Sequence, residues 1–319
     1  MKNKKIFVTG AMGFIGHHWC QKLLDQGHKV YALDIKKPYP QMINNKNFLF
    51  FKKSVFNYNL VEKLIKKTDL TCHFAGIASP KEYLVNTTKV IDLTVNPSLK
   101  IVEYCKKYNK KLFFTSTSEI YGKSKEIPFN ENGNRLLGST NVKRWCYSTS
   151  KALVEHSIFA NLTKKSSFVI FRLFNVYGPG LEGRVVDNFL KNAIKNKNLK
   201  IFGDGNQKRC FLYIEDCIEI FYEIFKKKSY PNEVINIGNN ISTSIYSLAK
   251  KILIISNSKS KIIKQTKKKI DKMKSEGYED ITKRVPSLKK LHKMVSYRPK
   301  YNLLNGLKKY FFSINKNAK

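Results

Sequence analysis

A glycine-rich turn near the amino terminus constrains the fold more than any other feature of this 319-residue sequence. Gly10, Gly13 and Gly16 stand between the apolar run Ile6–Val8 and a helical pattern over about 14–26. The first glycine allows a tight turn, and the others let the backbone and the helix approach a pyrophosphate. Amide groups at the start of the helix then bind the anion. This strand, turn and helix therefore predict a dinucleotide-binding unit.

An acidic residue at the end of the second predicted strand bears on whether the nucleotide is NAD or NADP. The apolar run Val30–Leu33 ends at Asp34, which follows Gly16 by 18 residues. A carboxylate at this place accepts hydrogen bonds from the adenosine ribose and repels a 2′-phosphate, so NAD is favoured over NADP. Lys36 and Lys37 weaken that preference because either could neutralise a phosphate. The expected cofactor contacts are Gly10, Gly13, Phe14, Ile15, Gly16, Asp34 and Ala75, with Tyr147 and Lys151.

The first half of the chain alternates strand and helix patterns. Further apolar runs lie at about 70–75, 112–114 and 168–171, with helical patterns near 60–67, 95–108 and 149–162. Continuous apolar strands separated by helices predict a parallel sheet that is covered on both faces. We expect an α/β fold, a doubly wound parallel sheet of the Rossmann type with a smaller C-terminal substrate-binding lobe.

The same pattern suggests where the chain divides. We expect an NAD-binding domain over 1–172, completed by segments near 210–238, and a lobe formed mainly by 173–319. The lysine-rich stretch over about 256–274 is poor in aromatic residues, which is typical of an exposed mobile loop or of a helix with a solvated face.

Charge and composition exclude several functional classes. The formal net charge is +37, but only seven of the 60 basic residues are arginine and the lysines are scattered. Because planar recognition of bases and phosphates favours arginine, we interpret the lysines as solvated and expect no specific nucleic-acid partner. The six cysteines form no CxxC pair and no histidine cluster accompanies them, so we expect no metal site. No apolar run approaches the roughly 20 residues of a membrane span, and no cleavable signal is evident; we expect a cytoplasmic protein without a membrane partner.

Tyr147 and Lys151 have the spacing of a catalytic pair. Residues four apart on a helix share one face, so the ammonium can lie beside the phenol. A neighbouring cation stabilises the phenolate and lowers the pKa of the tyrosine. Such a phenolate can take a proton from a sugar hydroxyl while hydride leaves the same carbon.

With the glycine turn and Asp34, this pair resembles the extended short-chain dehydrogenases/reductases, the NAD-dependent epimerase/dehydratase family that acts on nucleotide sugars. The resemblance implies that Thr117 or Ser118 bonds the sugar hydroxyl that is oxidised, and that Lys151 holds Tyr147 and the nicotinamide ribose. Glu119 resembles the acidic residue of nucleotide-sugar decarboxylases, although some dehydratases share the same short string. The alternative is a surface glutamate that caps a turn.

Several further strings resemble UDP-glucuronate decarboxylases, including the decarboxylase domains of bifunctional polymyxin-resistance enzymes and the UDP-apiose/UDP-xylose synthases. They are Ser79–Tyr83, Arg144–Tyr147, Phe171–Asn175, Gly205–Phe211, Gly277–Asp280 and Arg284–Ser287. The resemblance assigns catalysis to Thr117, Ser118, Glu119, Tyr147, Lys151 and Arg209. It assigns substrate binding to Ser79, Tyr83, Asn175, Arg184 and Arg209. For Arg209 the alternative is a surface ion pair.

The resemblance is not complete. Ser54-Val55 replaces an acidic residue that usually contacts adenine, and Ser98 stands where many relatives have glycine. The predicted activity is UDP-glucuronate decarboxylation by oxidation at C4 and loss of carbon dioxide. The alternatives are a nucleotide-sugar 4-epimerase, a 4,6-dehydratase, or a non-catalytic dinucleotide- or nucleic-acid-binding regulator. The family also implies a homodimer formed through helices near 95–108 and 150–162.

Overall fold

The computed structural model describes residues 3–265, 279 and 281–316. Its strands are, in chain order, β1 (Lys5–Thr9), β2 (Lys29–Asp34), β3 (Phe48–Lys52), β4 (Leu70–His73), β5 (Lys111–Thr117), β6 (Phe168–Leu173), β7 (Val176–Tyr177), β8 (Leu199–Ile201), β9 (Lys208–Cys210), β10 (Leu212–Tyr213), β11 (Glu233–Ile237), β12 (Ser242–Ser244), β13 (Ile262–Lys264) and β14 (Lys283–Arg284).

The helices of the described residues are α1 (Phe14–Asp25), α2 (Pro40–Ile43), α3 (Tyr58–Lys67), α4 (Pro80–Val85), α5 (Thr87–Lys107), α6 (Trp145–Asn161), α7 (Val185–Ile194), α8 (Ile214–Phe225), α9 (Ile245–Ser256), α10 (Lys289–Met294) and α11 (Leu303–Lys316). One turn of 3-10 helix, Ser118–Tyr121, follows β5.

The central sheet has seven strands in the order β11-β6-β5-β4-β1-β2-β3. The strands from β1 to β5 pair in parallel, with Thr9 opposite His73 and Val8 opposite Ala32. Helices between the strands make each connection a crossover, as parallel pairing requires. The prediction of a doubly wound parallel α/β sheet is confirmed, and the carboxyl ends of β1, β4 and β5 lie side by side.

Apolar side chains cover both faces of this sheet. On one face, α3, α5 and α6 pack over Phe7 and Phe114 through residues such as Val61, Ile101 and Val154. On the other, Trp19 of α1 lies edge-on to Phe221 and Phe225 of α8, with ring centroids about 6 Å apart. Burial of these large side chains supplies the main favourable free energy of folding.

The chain divides into two compact units. Unit 1 comprises the residues up to Ile120 with Trp145–Arg172 and Ile218–Ile235; unit 2 comprises Tyr121–Arg144, Leu173–Cys217 and the residues from Asn236 onward. The segment 121–144 thus lies in unit 2, whereas the sequence-based boundary assigned it to the first domain. Its contacts explain this: the Tyr121 hydroxyl donates to Asn236 Oδ1 at 2.7 Å, and the Phe129 amide donates to the Val285 carbonyl at 2.8 Å.

Unit 2 contains small strand pairs rather than one large sheet. In it β9 pairs with β12 and β14, β7 pairs with β10, and β8 pairs with β13. Residues 262–264 of the lysine-rich stretch therefore form a strand, so the prediction of a loop or helix is wrong there. The reason is that Ile262 and Ile263 are used for pairing with Leu199 and Lys200. Residues 266–274 of that prediction lie outside the described residues.

One helix is longer than its sequence pattern indicated. Helix α5 begins at Thr87 rather than near 95 and contains Pro97. Proline removes a backbone hydrogen bond of a helix, so the sequence does not predict that a helix extends before it. Val90 and Thr94 are buried nonetheless, and this packing stabilises the first turns.

Candidate active site

The glycine turn is too tightly packed for any side chain at two of its three positions. Gly10 has a φ of +64°, and a Cβ there would lie 2.6 Å from the amide nitrogen of Ala75. A Cβ on Gly16 would lie 2.0 Å from the Gly10 carbonyl oxygen. The turn, the start of α1 and the segment after β4 therefore pack backbone to backbone, which is the close approach that the motif predicts.

The start of α1 is available to an anion. Its N-cap is Gly13, which offers no side-chain hydrogen bond, and its first turn contains no acidic residue. The first amides of a helix have no partner within the helix and carry partial positive charge. Phe14, Ile15 and Gly16 contribute amides to this turn, so the residues fit a bound pyrophosphate.

Asp34 holds the same turn from the neighbouring strand. Its carboxylate accepts from the Met12 amide at 2.8 Å and from the Lys36 amide at 2.9 Å. The side chain is partly exposed at the end of β2. A carboxylate fixed by two amides and open to solvent fits the ribose diol of NAD. The glycine turn, the uncapped helix start and Asp34 thus match the demands of the dinucleotide.

Tyr147 and Lys151 lie one turn apart near the start of α6, and both are buried. The Lys151 ammonium donates to the Thr115 carbonyl of β5 at 2.8 Å. A Cβ on Gly76 would lie 3.8 Å from Lys151 Nζ, so the lysine reaches the segment that follows β4. Burial lowers the pKa of Lys151 to about 7, and the carboxylate of Glu155 opposes this shift. The lysine can therefore change its protonation state near neutral pH.

Thr117, Ser118 and Glu119 follow one another from the end of β5 into the 3-10 turn. All three are buried, and Glu119 is only 5% exposed. The Glu119 amide donates to Thr117 Oγ1 at 3.1 Å. Burial, and more weakly the charge of the Glu119 carboxylate, raise the pKa of the thiol of Cys146, the residue that precedes Tyr147, to about 11. The alternative of an exposed glutamate at this position is wrong.

Ser79 and Tyr83 belong to the segment around α4. The Ser79 carbonyl accepts from the Tyr83 amide at 3.1 Å, and Ser79 itself is half-buried before the helix. Tyr83 is buried, and its ring stacks on the ring of Tyr147. The structure therefore brings Tyr83 against Tyr147, the predicted catalytic tyrosine.

Two buried arginines stand beside each other in unit 2. Arg209 of β9 and Arg284 of β14 occupy paired positions of a parallel ladder, and they are 8% and 7% exposed. Arg209 Nη1 donates to the Lys208 carbonyl at 2.9 Å. Because paired residues of neighbouring strands project on the same side, two guanidinium groups share one face. Burial excludes the alternative of a surface ion pair for Arg209.

Asn175 lies close to the same strand. It has a φ of +38°, and its Nδ2 donates to the Cys210 carbonyl at 3.2 Å. Arg184 is the N-cap residue of α7 and is half-buried. The loop before it is held because the Gly183 amide donates to Asp187 Oδ2 at 2.9 Å.

The predicted site residues thus fall into two sets, each described within its own unit. Unit 1 holds the glycine turn, Asp34, Ala75, Ser79 and Tyr83, the hydroxyls Thr117 and Ser118, Glu119, and the Tyr147–Lys151 pair. Unit 2 holds Asn175, Arg184 and Arg209. Arg284 stands in one of the resembling strings, and His73 stands in a predicted strand, but neither received a role from the sequence. Gly277, Tyr278 and Asp280, quoted for the resemblance, lie outside the described residues.

Within residues 3–265, 279 and 281–316, no three His, Cys, Asp or Glu side chains are grouped so that they could hold a metal ion. None of the helices in the described part of the chain is both long and apolar enough to cross a bilayer.

Comparison with known proteins gives consistent matches over the whole chain. Residues 6–238 match the NAD dependent epimerase/dehydratase family. The chain is 38% identical to the bifunctional polymyxin resistance protein ArnA of Wigglesworthia glossinidia brevipalpis, covering 99% of this chain and 52% of that protein. It therefore spans about half the length of this relative.

A second relative matches from end to end. A UDP-N-acetyl-alpha-D-glucosaminuronate decarboxylase of Bacillus cytotoxicus is 32% identical, covering 96% of both chains. Among solved structures, the UDP-glucuronic acid 4-epimerase of Bacillus cereus, in complex with UDP-glucuronic acid and NAD, superposes with a TM-score of 0.85. It is 26% identical and covers 98% of this chain and 99% of that one. The predicted family and its cofactor, NAD, are confirmed.

Proposed function

Because the chain belongs to the NAD dependent epimerase/dehydratase family, we propose that it decarboxylates a UDP-linked uronic acid, with UDP-glucuronate as the substrate. The observation that carries this proposal is the buried Glu119, which follows Thr117 and Ser118 and whose charge acts on the thiol of Cys146, the residue before Tyr147. Burying a carboxylate costs free energy unless hydrogen bonds or an opposite charge compensate for the lost water, and for this reason buried acidic residues with unusual surroundings cluster at active sites. The name of the Bacillus cytotoxicus relative, a UDP-N-acetyl-alpha-D-glucosaminuronate decarboxylase, supports the same reaction.

The first step is oxidation at C4 of the sugar. Tyr147, as phenolate, takes the proton of the 4-hydroxyl, which Thr117 or Ser118 orients. Lys151, when protonated, stabilises the phenolate and so favours proton transfer near neutral pH. NAD, when bound, accepts the hydride that leaves C4. The product is a 4-keto sugar whose carboxylate is β to the ketone.

The second step is loss of the carboxylate. The C5–C6 bond breaks, carbon dioxide leaves, and the bonding electrons move to the C4 oxygen as an enolate. C5 then takes a proton. Arg209 and Arg284 bind the carboxylate or the pyrophosphate of the substrate, since a guanidinium group recognises either anion with two parallel hydrogen bonds. Glu119 acts near C4 and C5, where charge changes during the reaction. Asn175 and Arg184 bind the sugar nucleotide.

The two candidate uronic acids differ at C2. The Bacillus cytotoxicus relative is named for a sugar with an N-acetyl group, whereas UDP-glucuronate has a hydroxyl there. Both place a carboxylate β to C4, so the same residues serve either sugar. We propose the unsubstituted sugar because the sequence strings quoted above resemble those of UDP-glucuronate decarboxylases.

The test is to incubate the protein with NAD and each uronic acid in turn. Nicotinamide absorbance, released carbon dioxide and the nucleotide-sugar product are followed together. Carbon dioxide with accumulating NADH identifies a 4-keto pentose product, and carbon dioxide without NADH identifies a UDP-pentose. If folded, NAD-binding protein releases no carbon dioxide from either sugar, the proposal is wrong.

A second candidate function is epimerisation at C4. The solved UDP-glucuronic acid 4-epimerase, which covers nearly the whole chain, favours it. An epimerase shares the first step but then reduces the ketone from its other face. Substitution Glu119→Gln separates the two: a decarboxylase loses at least about tenfold in kcat, whereas an epimerase changes little. The surface substitution Glu223→Gln is the matched control, since Glu223 is 39% exposed and pairs with the exposed Lys226. A 4,6-dehydratase would instead eliminate water from a neutral hexose.

We propose that the protein is a homodimer formed through α5 and α6, as the family resemblance implies. Ile91 and Leu99 on α5 and Leu153 and Phe159 on α6 are exposed apolar side chains, which supports a covered interface. Light scattering should give twice the chain mass, and Leu153→Asp should give a folded monomer. A monomeric wild-type protein contradicts this part of the proposal.

The remaining predictions concern location and macromolecular partners. We keep a cytoplasmic location without a membrane partner as the proposal. A regulator that binds nucleic acid is the remote alternative, motivated by the net charge of +37. DNA binding that survives physiological salt would support that alternative, whereas binding that is lost at modest salt reflects counterion release alone.

A further inference from the structure

His73 is a buried titratable residue that the proposed mechanism does not use. It ends β4, directly opposite Thr9, the last residue of β1. Its Nδ1 lies 2.6 Å from Thr9 Oγ1, and its Nε2 lies 2.8 Å from Ser98 Oγ of α5. Both ring nitrogens therefore have hydroxyl partners, one from the neighbouring strand β1 and one from helix α5.

The hydrogen bond that Ser98 donates to a backbone carbonyl determines which atoms of this chain of hydrogen bonds carry the protons. Ser98 Oγ donates to the Thr94 carbonyl at 2.5 Å, so it accepts from His73 and Nε2 carries the proton. Nδ1 is then an acceptor, and Thr9 must donate to it. The Thr9 oxygen in turn accepts from the Ala75 amide at 3.4 Å. One arrangement of protons satisfies every member of the chain.

The electrostatic surroundings keep this arrangement fixed. Burial, and then the cation of Lys151, lower the pKa of His73 to about 3. The ring is therefore neutral at physiological pH, and Nδ1 stays an acceptor for Thr9. Ser98, a departure from many relatives, thereby supplies the acceptor that fixes the tautomer.

The chain of hydrogen bonds ends at a segment that contacts the glycine turn and lies close to Lys151. The Ala75 amide is the atom that a Cβ on Gly10 would strike at 2.6 Å. The next residue, Gly76, lies close to Lys151 Nζ. Ala75-Gly76 thus separates the pyrophosphate-binding turn from the Tyr147–Lys151 pair. A shift of this segment would move one relative to the other.

We propose that His73 is a positioning residue for the cofactor: through Thr9 it fixes the Ala75 backbone and thereby the wall between the glycine turn and Lys151. The Thr9 hydroxyl is the link, and Ser98 sets the tautomer that allows it to donate. This inference depends on the use of NAD and not on the identity of the sugar. Its test therefore measures NAD binding alone, and it can succeed or fail whatever sugar the enzyme accepts.

The test compares NAD dissociation constants by calorimetry in the absence of sugar nucleotide. His73→Leu and Thr9→Val remove the link, and each should weaken NAD binding by about tenfold or more. His73→Asn should stay within about threefold of wild type, because its Oδ1 can replace Nδ1 as the acceptor. Thr9→Ser, which keeps the hydroxyl, should also stay within about threefold. Rescue by these conservative variants distinguishes positioning from a general loss of packing.

His28 provides the matched control. It is another buried histidine, but it lies just before β2, at the opposite end of the strands from the cofactor turn. Its Nδ1 accepts from the Lys4 amide at 3.2 Å. His28→Leu should lower the melting temperature and leave NAD affinity unchanged. Wild-type affinity in both His73→Leu and Thr9→Val overturns the proposal. A loss in His73→Asn as large as in His73→Leu also overturns it. If His73→Leu does not fold, the Thr9→Val and Thr9→Ser pair decides.

Discussion

The ring of Tyr83 stacks on the ring of Tyr147, with centroids 4.7 Å apart and planes inclined by 11°. Both rings are buried, so neither has room to rotate freely. An offset aromatic stack of this kind contributes about 0.5–1.5 kcal/mol beyond the burial of its area. Since Tyr147 is the proposed base, Tyr83 orients the phenol that takes the sugar proton.

This stack predicts that the ring of Tyr83 matters to catalysis more than its hydroxyl. Tyr83→Phe should keep kcat within about twofold, whereas Tyr83→Leu should lower kcat by roughly tenfold with unchanged NAD affinity, because a small misplacement of a catalytic group is costly. Steady-state kinetics with saturating NAD measures both variants. If Tyr83→Phe instead raises KM for the sugar nucleotide at constant kcat, the hydroxyl binds substrate and orientation is not its role.

Lys151 should lower the stability of the cofactor-free protein. Its lowered pKa of about 7 means that the folded chain releases a proton that the unfolded chain keeps. The free energy of unfolding therefore rises with pH between about 7 and the ordinary pKa of lysine. Lys151→Met should melt roughly 2–5 °C higher than wild type at neutral pH, and this advantage should shrink toward high pH.

The same variant should lose at least about 100-fold in turnover, because the phenolate loses its cation. Melting curves without NAD, recorded from neutral to alkaline pH, test the stability claim. Lys164→Met, at an exposed position, should show no such pH-dependent difference. A Lys151→Met protein that melts below wild type at every pH contradicts the account.

The buried ion pair between Glu155 and Arg172 should be strongly coupled. Arg172 donates to both carboxylate oxygens, at 3.1 and 2.7 Å, and the side chains are only 8% and 6% exposed. Removing one carboxylate leaves the buried guanidinium without its opposite charge in this pair, so Glu155→Gln should cost about 3–5 kcal/mol. Replacing both with leucine should cost much less than the sum of the single changes.

Chemical denaturation of the two single variants and the double variant measures this coupling. Lys100–Glu103 is the exposed counterpart, with side chains 45% and 56% exposed, and Glu103→Gln should change stability by less than about 0.5 kcal/mol. Additive losses in the double variant would show that the pair is not coupled.

Asp34 should set the preference between NAD and NADP. Its carboxylate accepts from the Met12 and Lys36 amides, and it leaves negative charge at the ribose position. Asp34→Asn removes the charge that repels a 2′-phosphate, while Lys36 and Lys37 remain nearby. We expect NAD to bind about tenfold more weakly and NADP to gain relative to NAD. Dissociation constants of NAD and NADP for this variant test the prediction, with Asp25→Asn as an exposed control. An unchanged ratio of the two dissociation constants contradicts the prediction.

The parts of the site that are contiguous in sequence could be predicted, because local spacing fixes their geometry. The glycine turn, Asp34 and the Tyr147–Lys151 helix all depend on residues within one βαβ unit or one helical turn. The long-range contacts that position these elements could not be predicted from local spacing. His73 meets Thr9 across 64 residues and Ser98 across 25. Arg209 and Arg284 each stand in a resembling string, but neither string indicates that their strands pair.

Two elements of the fold escaped prediction for related reasons. Because of Pro97, the sequence pattern did not predict the first turns of α5, although the packing of Val90 and Thr94 stabilises them. Ile262 and Ile263 stand in a lysine-rich stretch, and only their pairing with β8 makes them a strand. In both cases long-range contacts overrode local preference.

The central claim is that the chain breaks the C5–C6 bond of a UDP-linked uronic acid after oxidation at C4. The most direct measurement follows UDP-glucuronate labelled at C6, incubated with NAD and either the wild-type protein or Tyr147→Phe. The account predicts that wild type releases the label as carbon dioxide and that Tyr147→Phe retains it in the nucleotide sugar. Label that stays in the sugar of the wild-type reaction, while the C4 configuration inverts, would contradict the account and identify an epimerase.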